Sequence, residues 1–208
     1  MNFRIWVSFF VVWSGILFSQ QAEERQVFVK GNALLLPVGI INAAAEFQLA
    51  PKITLQGDAT LSPWKSFAGH NARFMIAGVD GRYYFKEAFS GWYVGANVSG
   101  AAFNISKWNY WNNEFYKNKQ GEITPYINSN LYQKGYSFII GAVGGYQFSW
   151  KERWNLDVFL AFGNAQDRYK GYDKLSGDRY DTDHGDGWNR SGEWLPYRGG
   201  IMVSYKIK

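Results

Sequence analysis

Hydrophobicity in this chain repeats every second residue, and that repeat limits what it can fold into more than any other feature. In "ITLQGDATLSPW" (53–64), Ile53, Leu55, Gly57, Ala59 and Leu61 alternate with Thr54, Gln56, Asp58 and Thr60. A period of two marks a strand with two unlike faces, because successive side chains leave a pleated strand on opposite sides. The pattern recurs further along. Trp92, Val94, Ala96 and Val98 oppose Tyr93, Gly95, Asn97 and Ser99. Phe138, Ile140, Tyr146, Phe148 and Trp150 oppose Ser137, Gly141, Gly145, Gln147 and Ser149. Trp154, Leu156, Val158, Leu160 and Phe162 oppose Asn155, Asp157 and Phe159. Near the C-terminus, Tyr197, Ile201, Val203, Tyr205 and Ile207 oppose Arg198, Ser204 and Lys206.

After residue 26 there is no helical periodicity of useful length. Strand-like segments lie at 26–36, 39–50, 52–63, 71–86, 90–106, 134–150, 152–169 and 193–208. Most are longer than the five or six residues of an average strand, and about ten residues, tilted, cross a bilayer. The connections alternate in kind. "LAPKI" (49–53), "FKEAFSG" (85–91) and "WKERW" (150–154) are tight and polar, whereas 62–72, 107–133 and 170–192 are long. The first connection, near Pro37 to Asn42, is short and departs from the pattern. Short turns on one rim and long loops on the other characterise outer-membrane barrels.

The polar faces are rich in Gly, Ser, Asn and Gln, and the apolar faces carry aromatic residues near the strand ends, where interface girdles sit. No helix is available to cover an apolar sheet from outside. The expected fold is therefore all-β, an eight-stranded antiparallel up-and-down transmembrane β-barrel, apolar face to lipid and polar face inward. A soluble barrel or sandwich, with the faces reversed, is the alternative. In that case the protein would be a secreted ligand-binding barrel.

The first residues predict the address. "MNFR" is a positive start, "IWVSFFVVWSGILF" (5–18) an apolar run of about 14 residues, and "SQQAEE" a small-polar exit. This reads as a signal peptide, 1–19, cut near Ser19 or Gln20. The run is shorter than the roughly 20 residues of a spanning helix. Residues 20–208 then form one barrel domain in the outer membrane. Loss of Arg4 leaves 21 basic and 17 acidic groups, scattered without a basic run, so no nucleic-acid partner is expected. The absence of Cys rules out disulfides and a thiolate metal site.

On this assignment the inward charges are Lys30, Glu46, Asp58, Asp80, Arg82, Asp157, Arg198 and Lys206. An eight-stranded barrel is only wide enough for side chains to fill it, and buried charges are tolerated when paired. Four acids and four bases suggest a salt-bridged structural plug; a narrow proton or ion channel is the alternative.

The loops carry the remaining signals. Trp108, Tyr110, Trp111, Phe115 and Tyr116, among Asn neighbours, are candidate surface-binding aromatics that stack on sugars or dock a partner. Extracellular glycan or protein would meet loops 107–133 and 170–192, and outer-membrane lipid would surround the wall. "DRYDTDHGDGW" (178–188) places Asp181 and Asp183 in the first two slots of a calcium loop. Gly185 and Asp186 then fall in the wrong order and no Glu occupies the twelfth slot, so a solvated loop is expected. No cofactor or metal is predicted. The two histidines, His70 and His184, lie in loops without an H-x-S pattern. A lipid-modifying enzyme would have to pair His184 or His70 with a loop Ser such as Ser191 or Ser176. No catalytic residue is assigned.

Three stretches carry a resemblance: "INAAAEFQLAPKITLQGDATLSPW", "VDGRYYFKEAFSGWYVGANVSGAAFNI" and "GYSFIIGAVGGYQFSWKERWNLDVFLAFGNAQDRY". In their order and spacing they resemble an uncharacterised family, a domain of unknown function, of small Gram-negative outer-membrane β-barrel proteins. The resemblance covers most of residues 27–208. It implies an outer-membrane location and brings no known activity. The combined expectation is a non-enzymatic outer-membrane barrel with a structural or surface-binding role.

Overall fold

A computed structural model describes residues 25–118, 120–182, 185 and 187–208. The segment read as a signal peptide lies outside the described residues, as do Asp183, His184 and Asp186. The strands are β1 (Val27–Asn32), β2 (Ile41–Ala50), β3 (Ile53–Ser62), β4 (Ala72–Tyr84), β5 (Gly91–Ile105), β6 (Phe115–Lys117), β7 (Ile123–Ile127), β8 (Leu131–Lys151), β9 (Trp154–Asp173) and β10 (Asn189–Lys206). Eight of them close into one antiparallel ring in the order β1-β10-β9-β8-β5-β4-β3-β2, while β6 and β7 form a separate hairpin. Each strand of the ring pairs with its neighbour in the chain, and the ring shuts where Phe28 to Asn32 meet Lys206 to Met202. Among the described residues the helical pieces are three short 3-10 turns.

The period-two pattern sets the faces. Along β3 burial alternates residue by residue: Thr54, Gln56, Asp58, Thr60 and Ser62 are buried, and Ile53, Leu55 and Leu61 are exposed. The polar face thus points into the ring and the apolar face out of it, the reverse of a soluble sheet. Inward glycines on β8 and β9 leave room for rings of the adjacent strand, Tyr93 at Gly145 and Tyr197 at Gly163.

Several boundaries differ from those expected. β1 stops at Asn32 instead of continuing to 36, because Leu36–Val38 coils into a 3-10 turn. Pro37 has no N–H for a ladder, and Gly39 ends the turn at φ 72°. The stretch 107–133 is not a plain loop: it contains the β6–β7 hairpin between 3-10 turns at Trp108–Tyr110 and Asn128–Asn130. β8, β9 and β10 also rise above the rim, to Leu131, Asp173 and Asn189. Tyr197 faces inward, not outward. The register shifts between Pro196 and Arg198, so an extra residue resets the alternation and both Tyr197 and Arg198 reach the interior.

Both ends of the ring are dressed. At the loop end, Trp64 lies over Gly39, where a Cβ would meet its ring carbon at 3.0 Å, and its indole Nε1 donates to Val38 O at 2.8 Å. This clasps the first two loops together. At the short-turn end, the 85–90 connection folds into the opening instead of simply reversing the chain. Phe89 sits at φ 65°, an uncommon conformation for a bulky residue. Its ring packs 4.4 Å from Phe28, and its carbonyl accepts from Asn155 Nδ2 at 3.3 Å. Phe28, Ala88 and Phe89 form an apolar stopper beneath the polar interior.

Candidate functional site: a charge-filled lumen under an aromatic cap

Above the stopper the interior is a bonded network to which all eight strands of the ring contribute. Lys30 on β1 touches Glu46 on β2 and donates to Asp157 Oδ2 on β9 at 2.8 Å. Arg82 on β4 reaches Asp157 at 3.0 Å, Asp80 at 2.9 Å and Glu46 at 3.5 Å. Its guanidinium lies 4.7 Å from the centre of the Tyr93 ring, and Tyr93 OH donates to Asp157 Oδ1 at 2.8 Å. One layer higher, Arg198 bonds Asp58 and, at 2.6 Å, Asp80. Asn97 ties this layer together: its Nδ2 donates to Asp80, and its Oδ1 accepts from Tyr197 OH at 2.6 Å and Ser99 Oγ at 2.7 Å. Asp80 joins the two layers.

Tyr84 OH lies 2.8 Å from Glu46 Oε1 and 2.7 Å from Gln147 Oε1. A single phenol proton serves only one of them. Gln147 Oε1 also accepts from Lys30 Nζ at 3.3 Å, so the carbonyl oxygen of the amide faces the network.

The structure therefore brings together seven of the eight inward charges expected from the sequence: Lys30, Glu46, Asp58, Asp80, Arg82, Asp157 and Arg198. Lys206 is not among them. It shares the inner face, opposite Phe28, but is half-buried at the rim and makes no ion pair among the described residues. Four acids and three bases share the interior rather than four of each. Of the uncharged members, sequence reasoning puts Tyr93, Asn97 and Gln147 on the polar face but misses Tyr84 and Tyr197. Tyr84 sits at the parity of the charges, which was the available signal. Every carboxylate of the set faces a cation or a hydroxyl, and Arg82 and Asp157 are fully buried, the chemistry of a packed polar core.

Above the network lies a cavity of about 630 Å³ with a different lining. Ile76, Phe103, Ile139, Ala165 and Leu195 make apolar walls, with Tyr197 as the floor. At its mouth Ser191 Oγ donates to Asp167 Oδ2 at 3.1 Å.

The cap covers this mouth. The candidate surface aromatics divide into two groups. Tyr110 and Tyr116 turn inward onto buried Tyr180, edge to face at 6.2 and 4.8 Å, and Gln133 Nε2 donates to Tyr180 OH at 3.3 Å. Burial pushes the Tyr180 and Tyr110 phenols up from their usual range. Trp108, Trp111 and Phe115 remain exposed, Trp108 at 85%. Trp111 stacks flat on His70, at 4.3 Å and 5°. Burial and the nearby Lys174 ammonium lower the His70 pKa, and its imidazole makes no hydrogen bond among the described residues. A chamber of about 520 Å³ opens within the cap, lined by Tyr110, Tyr116 and Tyr180 with Asn109, Asn112 and Asn128.

Asp181 is fully engaged by protein donors, the Gly171 N–H, Asn189 Nδ2 and Arg179. Among the described residues no group of acidic or His side chains is arranged to hold a metal.

The family model for "Protein of unknown function (DUF3575)" matches residues 7–205. The chain belongs to this family. The expectation of an uncharacterised family, drawn from three stretches of sequence, holds, and the DUF3575 match covers nearly the whole chain. No curated protein and no solved structure matches the chain.

Proposed function

We propose that this protein is a non-enzymatic outer-membrane β-barrel, sealed through its bore, that binds ligands at the cap formed by its long loops. One observation carries the membrane reading. Across the middle of the outer face the exposed side chains are apolar around the ring, as with Val29, Leu55, Val79, Val94, Ile140 and Leu160, while the ion-paired network lies inside. Such a surface is stable in hydrocarbon, and a closed ring leaves no backbone edge unsatisfied there. Aromatic side chains border the band at both ends, Trp92, Tyr146 and Trp154 near the short turns and Tyr136, Trp188 and Trp194 near the loops. The apolar leader at 5–18 supplies the export signal.

The plugged lumen argues against conduction and moves function to the cap. A chamber of tyrosine rings and asparagine amides matches the stacking faces and hydroxyls of a sugar. The first test is gel mobility of the outer-membrane fraction with and without boiling. A closed barrel resists cold SDS and shifts on heating; a periplasmic protein without a shift would overturn the reading. Planar bilayers should stay electrically silent. Conductance that responds to Asp58→Ala or Arg82→Ala would replace the plug with a narrow channel. Oligosaccharide-array binding that falls in Asn112→Ala and Tyr116→Ala supports the cap site, and an array without signal removes it.

The placement of Ser191 favours a second reading, a lipid-modifying enzyme. Its hydroxyl, bonded to Asp167, opens on an apolar cavity suited to an acyl chain. Lipid mass profiles unchanged by Ser191→Ala and His184→Ala would sink it.

A further inference from the structure

The outer wall carries one feature that neither the plug nor the cap uses. Arg73, Asn104, Lys134 and Lys170 stand in a single cross-strand row on β4, β5, β8 and β9, since Arg73 pairs with Asn104, Asn104 with Lys134, and Lys134 with Lys170. One row nearer the apolar band, Tyr136 pairs with Arg168 and Arg168 with Arg190 on β10. All are at outward parity: Arg73, Lys134, Arg168 and Arg190 are exposed and Lys170 is half-exposed. Directly opposed side chains lie about 5 Å apart, and like charges in that arrangement destabilise a sheet. Here two such pairs, Lys134 with Lys170 and Arg168 with Arg190, are adjacent. None of the five cations has an ion pair among the described residues; Lys170 has only the Trp188 ring, at 5.4 Å. The corresponding outward ends of β2 and β3 carry Ile41, Ala43, Ala59 and Leu61, so the charge occupies one sector of the wall.

Immediately below lie Tyr136, Phe138 and Ile140 on β8, Phe162 on β9 and Trp194 on β10, all exposed. We infer that this sector is a binding site for a lipid with a phosphomonoester headgroup, the phosphate held by Lys134, Lys170, Arg168 and Arg190 and the acyl chains lying on the apolar strip beneath. Arginine grips phosphate with two parallel N–H donors and lysine as a point charge. A polyanion cancels the repulsion that the sheet otherwise carries. The order of charge above aromatic above aliphatic is the order of headgroup, interface and chain in one leaflet. The site rests on the membrane-barrel reading, and its orientation places the headgroup at the loop end.

The test uses the full mature chain folded in uncharged maltoside detergent, with heat-shift on gels as the check of folding. Native mass spectrometry counts bound phosphatidic acid against phosphatidylcholine, with inorganic phosphate as competitor. The expected result is retention of phosphatidic acid at least ten-fold above phosphatidylcholine, weakened by salt and not displaced by equimolar inorganic phosphate. Binding should fall at least ten-fold in the Lys134→Gln/Lys170→Gln/Arg168→Gln/Arg190→Gln variant and survive in Lys134→Arg/Lys170→Arg. Equal retention of both lipids by the native chain overturns the proposal without any variant, as does displacement by inorganic phosphate or undiminished binding in a heat-shifting quadruple variant. Loss of the heat shift in the native chain overturns the barrel reading itself, a separate outcome.

Discussion

The ring of Tyr93 lies over the bare α-carbon of Gly145, its partner across the β5–β8 ladder. A methyl group at 145 would meet the phenol oxygen at 2.6 Å and Val158 O at 2.5 Å. The glycine thus makes room for the ring that carries a hydrogen bond to Asp157 and a face for Arg82. Gly145→Ala should lower unfolding free energy by about 1–3 kcal/mol, the usual cost of overpacking. Gly144→Ala, on the other face with its nearest neighbour at 3.7 Å, should change little. Urea titrations of the two variants in the same detergent decide this, and equal midpoints would refute the contact.

Asp157 is the acceptor shared by Lys30, Arg82 and Tyr93. Removing it leaves Lys30 with Glu46 alone and Arg82 with Asp80 and Glu46, two buried cations each short of one carboxylate. Asp157→Ala should cost about 3–5 kcal/mol, the range for breaking a buried ion pair. The expected signature is an early urea midpoint with a normal heat shift at low temperature. A cost below about 1 kcal/mol would mean that water fills the bore.

Phe89 should behave as a stopper. Phe89→Ala removes a buried ring, keeps the Cβ at positive φ, and should destabilise by about 3–5 kcal/mol. Phe89→Leu, which keeps most of the volume, should recover the larger part. Thermal scans of both variants provide the measurement; a null effect in Phe89→Ala would show the turn to be ornamental.

His70 reports on the cap. Its pKa lies below the ordinary 6.5, mainly through burial and secondarily through Lys174. An unfolded His70 therefore binds more protons than the folded one between the two values. The stabilisation is fully present above pH 6.5 and is lost as pH falls through the folded pKa. The imidazole C–H resonance, assigned with His184→Ala, should titrate below 6.5, and Trp111→Ala should move its midpoint upward. A midpoint at or above 6.5 in the native chain would contradict the stack.

Much of this architecture is legible in the sequence because the signal is local. Thr54, Gln56, Asp58 and Thr60 declare their face by parity alone, and the inner charges follow by the same rule. Parity fails where the count of residues changes: one extra residue between Pro196 and Arg198 turns Tyr197 inward, and nothing in "LPYRGG" marks it beyond the Pro and the two Gly. It fails again where an apolar run is not a strand, as in "ALLLPV", whose proline bends the chain. Lys206 has the right parity but too little depth, and depth is a property of the rim. The inward fold of Phe89 and the nesting of Tyr110 and Tyr116 on Tyr180 depend on contacts between distant segments, which no window of sequence displays.

The ring closes at its shortest strand. β1 contributes six residues, and its five register pairs with β10, flanked by the backbone bonds of Val27 to Ile207 and Lys208 and of Ala33 to Ile201, join the first and last staves. Every other seam can form from segments that are neighbours in the chain, but this one waits for β10. Closure is therefore a long-range event, slow by the rule that distant pairings cost loop entropy before they give any return. Until it occurs, Phe28 cannot reach its place beside Phe89, Lys30 cannot meet Asp157, and two raw edges remain open to other chains. The seam that joins the chain's two ends therefore also completes the buried ion-pair network.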